Sequence, residues 1–160
     1  MRAAKILDSS SWRGWDGKEF SVVFTDPYLG PVARPQDHVY TPVPYMAAVN
    51  AINFHEPSHL FVATLWDPWN NEYGTPGLYL STSTDLVHWT KPVLVARLEQ
   101  FLAQEPAGSW SYAYFSLLDR TAPDLNFSMI GGHPDLYYVR FDNDGQGRVL
   151  YRQGIELTPK

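Results

Sequence analysis

Ala47-Ala48-Val49-Asn50-Ala51-Ile52-Asn53-Phe54, then His55-Glu56-Pro57-Ser58-His59, then Leu60-Phe61-Val62-Ala63-Thr64-Leu65 is the stretch on which the fold turns. Two runs rich in β-branched and aromatic residues flank a short joint that contains proline. That is the pattern of two antiparallel strands. The same pattern continues in both directions. Asp67-Pro68-Trp69-Asn70-Asn71-Glu72-Tyr73-Gly74-Thr75-Pro76 joins Leu60–Leu65 to a third run, Gly77–Thr82, and Pro92–Ala96 follows as a fourth. Joints this short make meanders of neighbouring strands rather than crossover units.

A second stretch repeats the plan with Ser111–Leu118, Asn126–Ile130, Leu136–Phe141 and Arg148–Leu157. Asn143-Asp144-Gly145-Gln146-Gly147 between the last two is a strong hairpin signal. Upstream, Glu19–Thr25 and Val39–Val43 also read as strands. The apolar residues Leu94, Leu98, Phe101 and Leu102 have helical spacing, and Pro106 follows closely. Leu94–Gln104 is therefore expected to form one or two helical turns inside a connection. The fold class read from this is all-β. Four antiparallel strands, repeated, are the unit of a propeller blade. The expected architecture is a partial β-propeller: 1–46 part of a blade, 47–96 a complete four-stranded blade, 97–110 a connection, and 111–160 the last four-stranded blade, in one domain. A two-sheet sandwich is the alternative that the same strands allow.

Composition narrows the function. The chain has 160 residues with Lys+Arg 12 against Asp+Glu 17, a formal net charge of −5. A net anion is a poor partner for phosphate backbones or acidic lipid, so neither nucleic acid nor a membrane surface is expected as a partner. Cys is 0, which excludes disulfides, thiolate zinc sites and thiol nucleophiles. No Gly-rich phosphate loop, HExxH or GxSxG is present. No cofactor and no metal is expected. The first residues lack the apolar run of a secretory signal, which leaves the chain, as it stands, reading as cytoplasmic. Aromatic residues make up 15% of the chain, enough for a core with rings left over for a binding surface.

Leu78-Tyr79-Leu80-Ser81-Thr82-Ser83-Thr84-Asp85-Leu86-Val87-His88-Trp89-Thr90 resembles the Asp-Leu-Val-His-Trp stretch of the five-bladed propeller glycosidases, glycoside hydrolase families forty-three and thirty-two. Tyr112–Asp119, Asn126-Phe127 and Pro134–Arg140 are similar to the closing blade of that group. The likeness covers roughly residues 45–142. A weaker likeness joins Ser83, Asp85 and Trp89 to the Asp-box of sialidases, whose usual glycine is Val87 here. The motif also has a purely structural role, because Ser83 and Asp85 can bond backbone amides in a tight turn while Trp89 covers the blade edge.

The resemblance implies action on furanosides or pentose-containing polysaccharides, with carbohydrate as the partner. The alternative is a non-catalytic carbohydrate-binding or assembly module. Propeller topology would gather Trp66–Gly77, Gln100–Trp110 and Gly131–Pro134 on the binding face. His55–His59, Thr84–Thr90 and Asn143–Gly147 would lie opposite. Sugars present apolar CH faces ringed by hydroxyls, and flat rings beside amides and carboxylates suit them. The candidate ligand-contacting residues are Tyr45, Trp66, Trp69, Asn70, Glu72, Glu105, Trp110, Tyr112 and His133, with Tyr114 alongside. Each has an ordinary packing role as its alternative.

Family members use three carboxylates drawn from early blades, and hydrolysis needs two across the scissile bond. Glu72 and Glu105 are the best-placed acids but lie in no matching motif, so no catalytic residue is assigned. A five-bladed ring needs about twice this length, at roughly 40–50 residues per blade. Three arrangements are left, in this order: the C-terminal part of a longer glycosidase, two copies self-associating into one ring, or a compact half-propeller.

Overall fold

Alternation along the chain decides where strands form. In the computed structural model, residues 2–24, 48–69, 73–102, 110–124, 126–142 and 147–158 are described. They carry eleven strands: β1 (Arg2–Ala3), β2 (Trp12–Trp15), β3 (Phe20–Val23), β4 (Ala48–His55), β5 (Leu60–Asp67), β6 (Gly77–Ser83), β7 (Val93–Arg97), β8 (Trp110–Leu118), β9 (Met129–Ile130), β10 (Asp135–Asp142) and β11 (Arg148–Gly154). One helix, α1, spans Leu98–Leu102. The all-β class is therefore observed. The expected strand Val39–Val43 lies outside the described residues.

The chain divides into two compact units, Met1–Pro44 and Tyr45–Lys160. The first holds a three-stranded antiparallel sheet, β1-β2-β3. Its β2–β3 turn is held by Asp16, whose carboxylate accepts from the Lys18 and Glu19 amides at 2.7 and 2.8 Å and from the Ser21 hydroxyl. These donors hold the Asp16 carboxyl at about 2.

The second unit holds a five-stranded sheet, β7-β6-β5-β4-β9, and a three-stranded sheet, β11-β10-β8. One core lies between them. Val62, Trp66 and Leu78 from the first sheet meet Phe115, Leu117, Leu136 and Tyr138 from the second, with Phe101 of α1 and Ile130 of β9. Rings dominate: Trp66 and Phe115 lie 4.4 Å apart, Phe115 and Tyr138 stack at 5.3 Å and 16°, and Tyr138 and Tyr151 at 5.3 Å and 7°. Phe101 meets Phe115, Tyr138 and Trp66 edge-on at 5.2–5.8 Å.

Side chains also stitch the sheets together along β8. Asn53 Nδ2 donates to the Leu117 and Phe127 carbonyls at 3.1 and 2.9 Å. Thr64 Oγ1 donates to the Phe115 carbonyl at 3.1 Å, and the Phe115 amide donates to Asn50 Oδ1 at 3.1 Å. The bonds to the Leu117 and Phe115 carbonyls are buried, so each satisfies a main-chain group shielded from water.

Three expectations are corrected here. First, Asn126–Ile130 is not a strand of the last four-stranded blade. Only Met129–Ile130 pairs, and it runs parallel to Phe54–His55 in the other sheet. The Phe54 amide donates to the Ser128 carbonyl at 2.7 Å, and Asn53 holds Phe127, so this segment is captured by β4. Second, this leaves β8 paired directly with β10, and every later joint moves to the other end of the sheet. Gly131–Pro134 sits by Leu118, while Asp142 pairs opposite Trp110. Third, the helix is confined to Leu98–Leu102, because the β-branched Val93 and Val95 keep Leu94 in β7, paired with β6. Two strands in the first unit, β1 and β2, were not expected.

The Asp-Leu-Val-His-Trp segment is a hydrogen-bonded turn between β6 and β7. Ser83 Oγ accepts from the Asp85 and Leu86 amides, and Asp85 Oδ1 accepts from the Val87 and His88 amides at 2.8 Å. Asp85 Oδ2 lies 2.7 Å from His88 Nδ1. Those amides and His88 hold the Asp85 carboxyl well below the usual carboxylate range. Trp89 Nε1 donates to the Leu86 carbonyl. These bonds shape the turn.

Candidate functional site: an aromatic groove where β4 and β8 begin

The groove is built by two irregularities. In β4 the pairing with β5 steps from Val49↔Leu65 to Ala51↔Thr64, which leaves Asn50 as an extra residue. In β8 the pairing with β10 steps from Ala113↔Val139 to Ser116↔Tyr137, so Tyr114 and Phe115 oppose Tyr138 alone. Such bulges turn side chains out of the strand alternation. Phe115 points inward and is fully buried, while Tyr114 points outward and is 63% exposed. The cost is visible in the backbone, because Tyr114 has φ 60, the left-handed region that a residue with a β-carbon avoids. Strain of this kind gathers where side chains must be presented to a ligand.

The groove has a volume of about 700 Å³. Its walls are Ala48, Val49 and Asn50 of β4, Pro68 and Trp69 after β5, Ser111–Tyr114 of β8, Leu98 and Phe141. Trp66 and Tyr112 form the floor, each 5% exposed. The Tyr112 hydroxyl donates to the Phe101 carbonyl at 3.2 Å, which fixes its ring. At the rim, Tyr114 and Phe141 meet edge-on at 5.7 Å. Trp69 stands 75% exposed. Its amide donates to Asp67 Oδ1 at 3.2 Å, so the buried Asp67 shapes the turn that lifts the indole into solvent. None of the described lining residues carries a charge at neutral pH.

Of the expected ligand-contacting residues, the structure brings together Trp66, Trp69 and Tyr112, and begins β8 at Trp110 on the same end. Tyr45, Asn70, Glu72 and Glu105 lie outside the described residues. His133 is exposed at the opposite end of the sheet, next to the Leu118 terminus of β8. Its misplacement follows from the miscounted strand, since one strand too many reverses the end at which each later joint emerges. Sequence reasoning missed Val49, Asn50 and Phe141. Phe141 carried a usable signal, because it ends a strand before the Asn143–Gly147 hairpin. Asn50 carried none beyond its polarity within an apolar run.

The opposite end is polar and mostly self-satisfied. Asp119 accepts from the Thr121 hydroxyl at 2.6 Å, the Thr121 amide at 2.8 Å and the Gly131 amide at 2.8 Å, which holds its carboxyl below the usual range. His55 is buried beside Ile130 with Nδ1 2.7 Å from Ser58 Oγ, and burial lowers its pKa. Among the described residues, no group of three or more His, Asp or Glu could hold a metal ion. No described helix is long and apolar enough to cross a membrane. No family model, curated protein or solved structure matches this chain.

Proposed function

We propose that this protein is a carbohydrate-recognition module built from propeller-type blades, and that the groove between β4 and β8 seats a neutral saccharide. The observation that carries the reading is the grouping of Trp69, Tyr114 and Phe141 around an uncharged, ring-floored groove. An exposed indole offers its face to sugar CH groups, while main-chain groups and Ser111 are within the same walls to meet hydroxyls. The blade reading is supported by strand order: β4-β5-β6-β7 and β8-β10-β11 are successive antiparallel series whose first strands, β4 and β8, lie against each other. In a propeller the first strands of adjacent blades meet in this way at the axis.

The likeness to the propeller glycosidases points to pentose- or furanose-containing chains. Hydrolysis needs a pair of carboxyl groups across the bond, and no carboxylate is among the described lining residues. The described lining supplies rings and uncharged polar groups, which is what recognition of a neutral saccharide uses. Titrating arabino- and xylo-oligosaccharides by calorimetry tests this. Saturable binding that Trp69→Ala weakens about tenfold, the equivalent of about 1.4 kcal/mol, is expected. Binding indifferent to Trp69→Ala, or none with any neutral saccharide, removes the proposal.

A further inference from the structure

We infer that the gap between the outer strands of the two sheets is a binding site for a small uncharged amphipathic molecule, an apolar body with a hydroxyl at one end. The sheets are close where β4 meets β8 and diverge outward, and a cavity of about 340 Å³ opens between β6–β7 and β10–β11. The cavity opens to solvent on one side and runs inward to the shared core, so it can seat an apolar body without breaking core contacts. Its volume is within the range of small-molecule pockets, about 300–1,000 Å³. A cavity of about 150 Å³ takes benzene, so this one takes a body about twice as large.

Burial separates floor from mouth. Leu78, Leu117, Leu136 and Phe101 are at most 6% exposed and form an apolar floor. Gln100, Gln153 and Glu156 are exposed and line the mouth. Gln100 Oε1 already accepts from the Arg97 amide at 2.7 Å, which leaves its NH₂ to donate outward. The Glu156 carboxylate supplies an acceptor and disfavours an anionic head. A hydroxyl meets both. One wall is the segment after β11, held by the Ile155 and Leu157 amides donating to the Pro134 and Gly132 carbonyls at 3.0 and 2.8 Å. The cavity shares no lining residue with the saccharide groove, so the inference stands apart from that reading.

The test is methyl NMR of the full chain with 2-naphthol as probe and 2-naphthoate as its charged counterpart. Saturable shifts of the Leu78, Leu117, Leu136 and Ile155 methyls with 2-naphthol are expected, with binding at least threefold weaker for 2-naphthoate. Val95→Trp places a ring at the mouth from an exposed position and keeps a strand-favouring residue in β7, and Ala96→Leu fills the wall. Either is expected to weaken 2-naphthol at least tenfold. The inference is overturned if the probe gives no saturable shift, if both variants bind it as the parent does, or if the two probes bind equally. It is also overturned if the same methyls shift with protein concentration alone, which would make a second copy the occupant.

Discussion

Replacing Tyr114 by glycine and by alanine separates the backbone of the groove from its ring. Both variants lose the aromatic contact with Phe141, about 0.5–1.5 kcal/mol, so that loss cancels between them. They differ in the backbone. At an ordinary strand position glycine is less stable than alanine by about 0.5–1 kcal/mol. At Tyr114, where φ is 60, alanine keeps the left-handed strain of roughly 1–2 kcal/mol and glycine is free of it. Tyr114→Gly is therefore expected to be more stable than Tyr114→Ala by about 1 kcal/mol, or about 4 °C in Tm for a unit of this size. Urea unfolding followed by tryptophan fluorescence, with thermal melts in parallel, measures the difference. Saccharide titration of the same two proteins is expected to show equal weakening, because both lack the ring. If glycine is the less stable of the pair, the bulge does not hold Tyr114 left-handed and the construction of the groove is wrong. If either variant binds saccharide as the parent does, the ring is not part of the site.

Asn53→Ala strips the donors from the Leu117 and Phe127 carbonyls and is expected to cost about 2–4 kcal/mol, read from the urea midpoint. A cost under about 0.5 kcal/mol would mean that Asn53 does not join the sheets. Burial lowers His55 below its ordinary 6.5, so the unfolded chain binds the proton first. Stability from this group is full above about pH 6.5 and falls as pH drops toward the folded value; His55→Gln is expected to flatten that limb of the Tm–pH curve, and an unchanged limb would exclude His55 as its source. At Gly77 a β-carbon would overlap the Ala96 carbonyl oxygen and come within 2.8 Å of Leu94 Cδ1. Gly77→Ala is expected to cost about 1–3 kcal/mol, whereas Gly132→Ala, which meets nothing within 4 Å, is expected to be near neutral; equal effects would contradict the close β6–β7 pairing.

How far the sequence could be read depended on the range of the forces involved. The β4-β5-β6-β7 meander follows from local alternation and turn residues, and it emerged with boundaries shifted by a residue or two. The Ser83–Trp89 turn was likewise legible, because Ser and Asp bond amides two and three residues away. Asn126–Ile130 was not, since its partner is β4, more than seventy positions earlier, and nothing local distinguishes pairing there from pairing with β8. That single long-range choice then reversed the placement of His133. The groove was half legible. Trp69 announces itself in a polar loop, whereas the exposure of Tyr114 rather than Phe115 is decided by a bulge that no periodicity reveals. Trp66 and Tyr112 were expected as ligand contacts and form the buried floor, because rings this large fill the space between the sheets first.

The most direct measurement is a backbone amide map of the saccharide complex. With an arabino- or xylo-oligosaccharide that binds, amide shifts are expected to concentrate at Ala48–Asn50, Trp69, Ser111–Tyr114 and Phe141, and to leave His55–Ser58, Asp119–Thr121 and Gly131–His133 unmoved. Shifts centred on that second set would place recognition at the opposite end of the sheets and contradict the account.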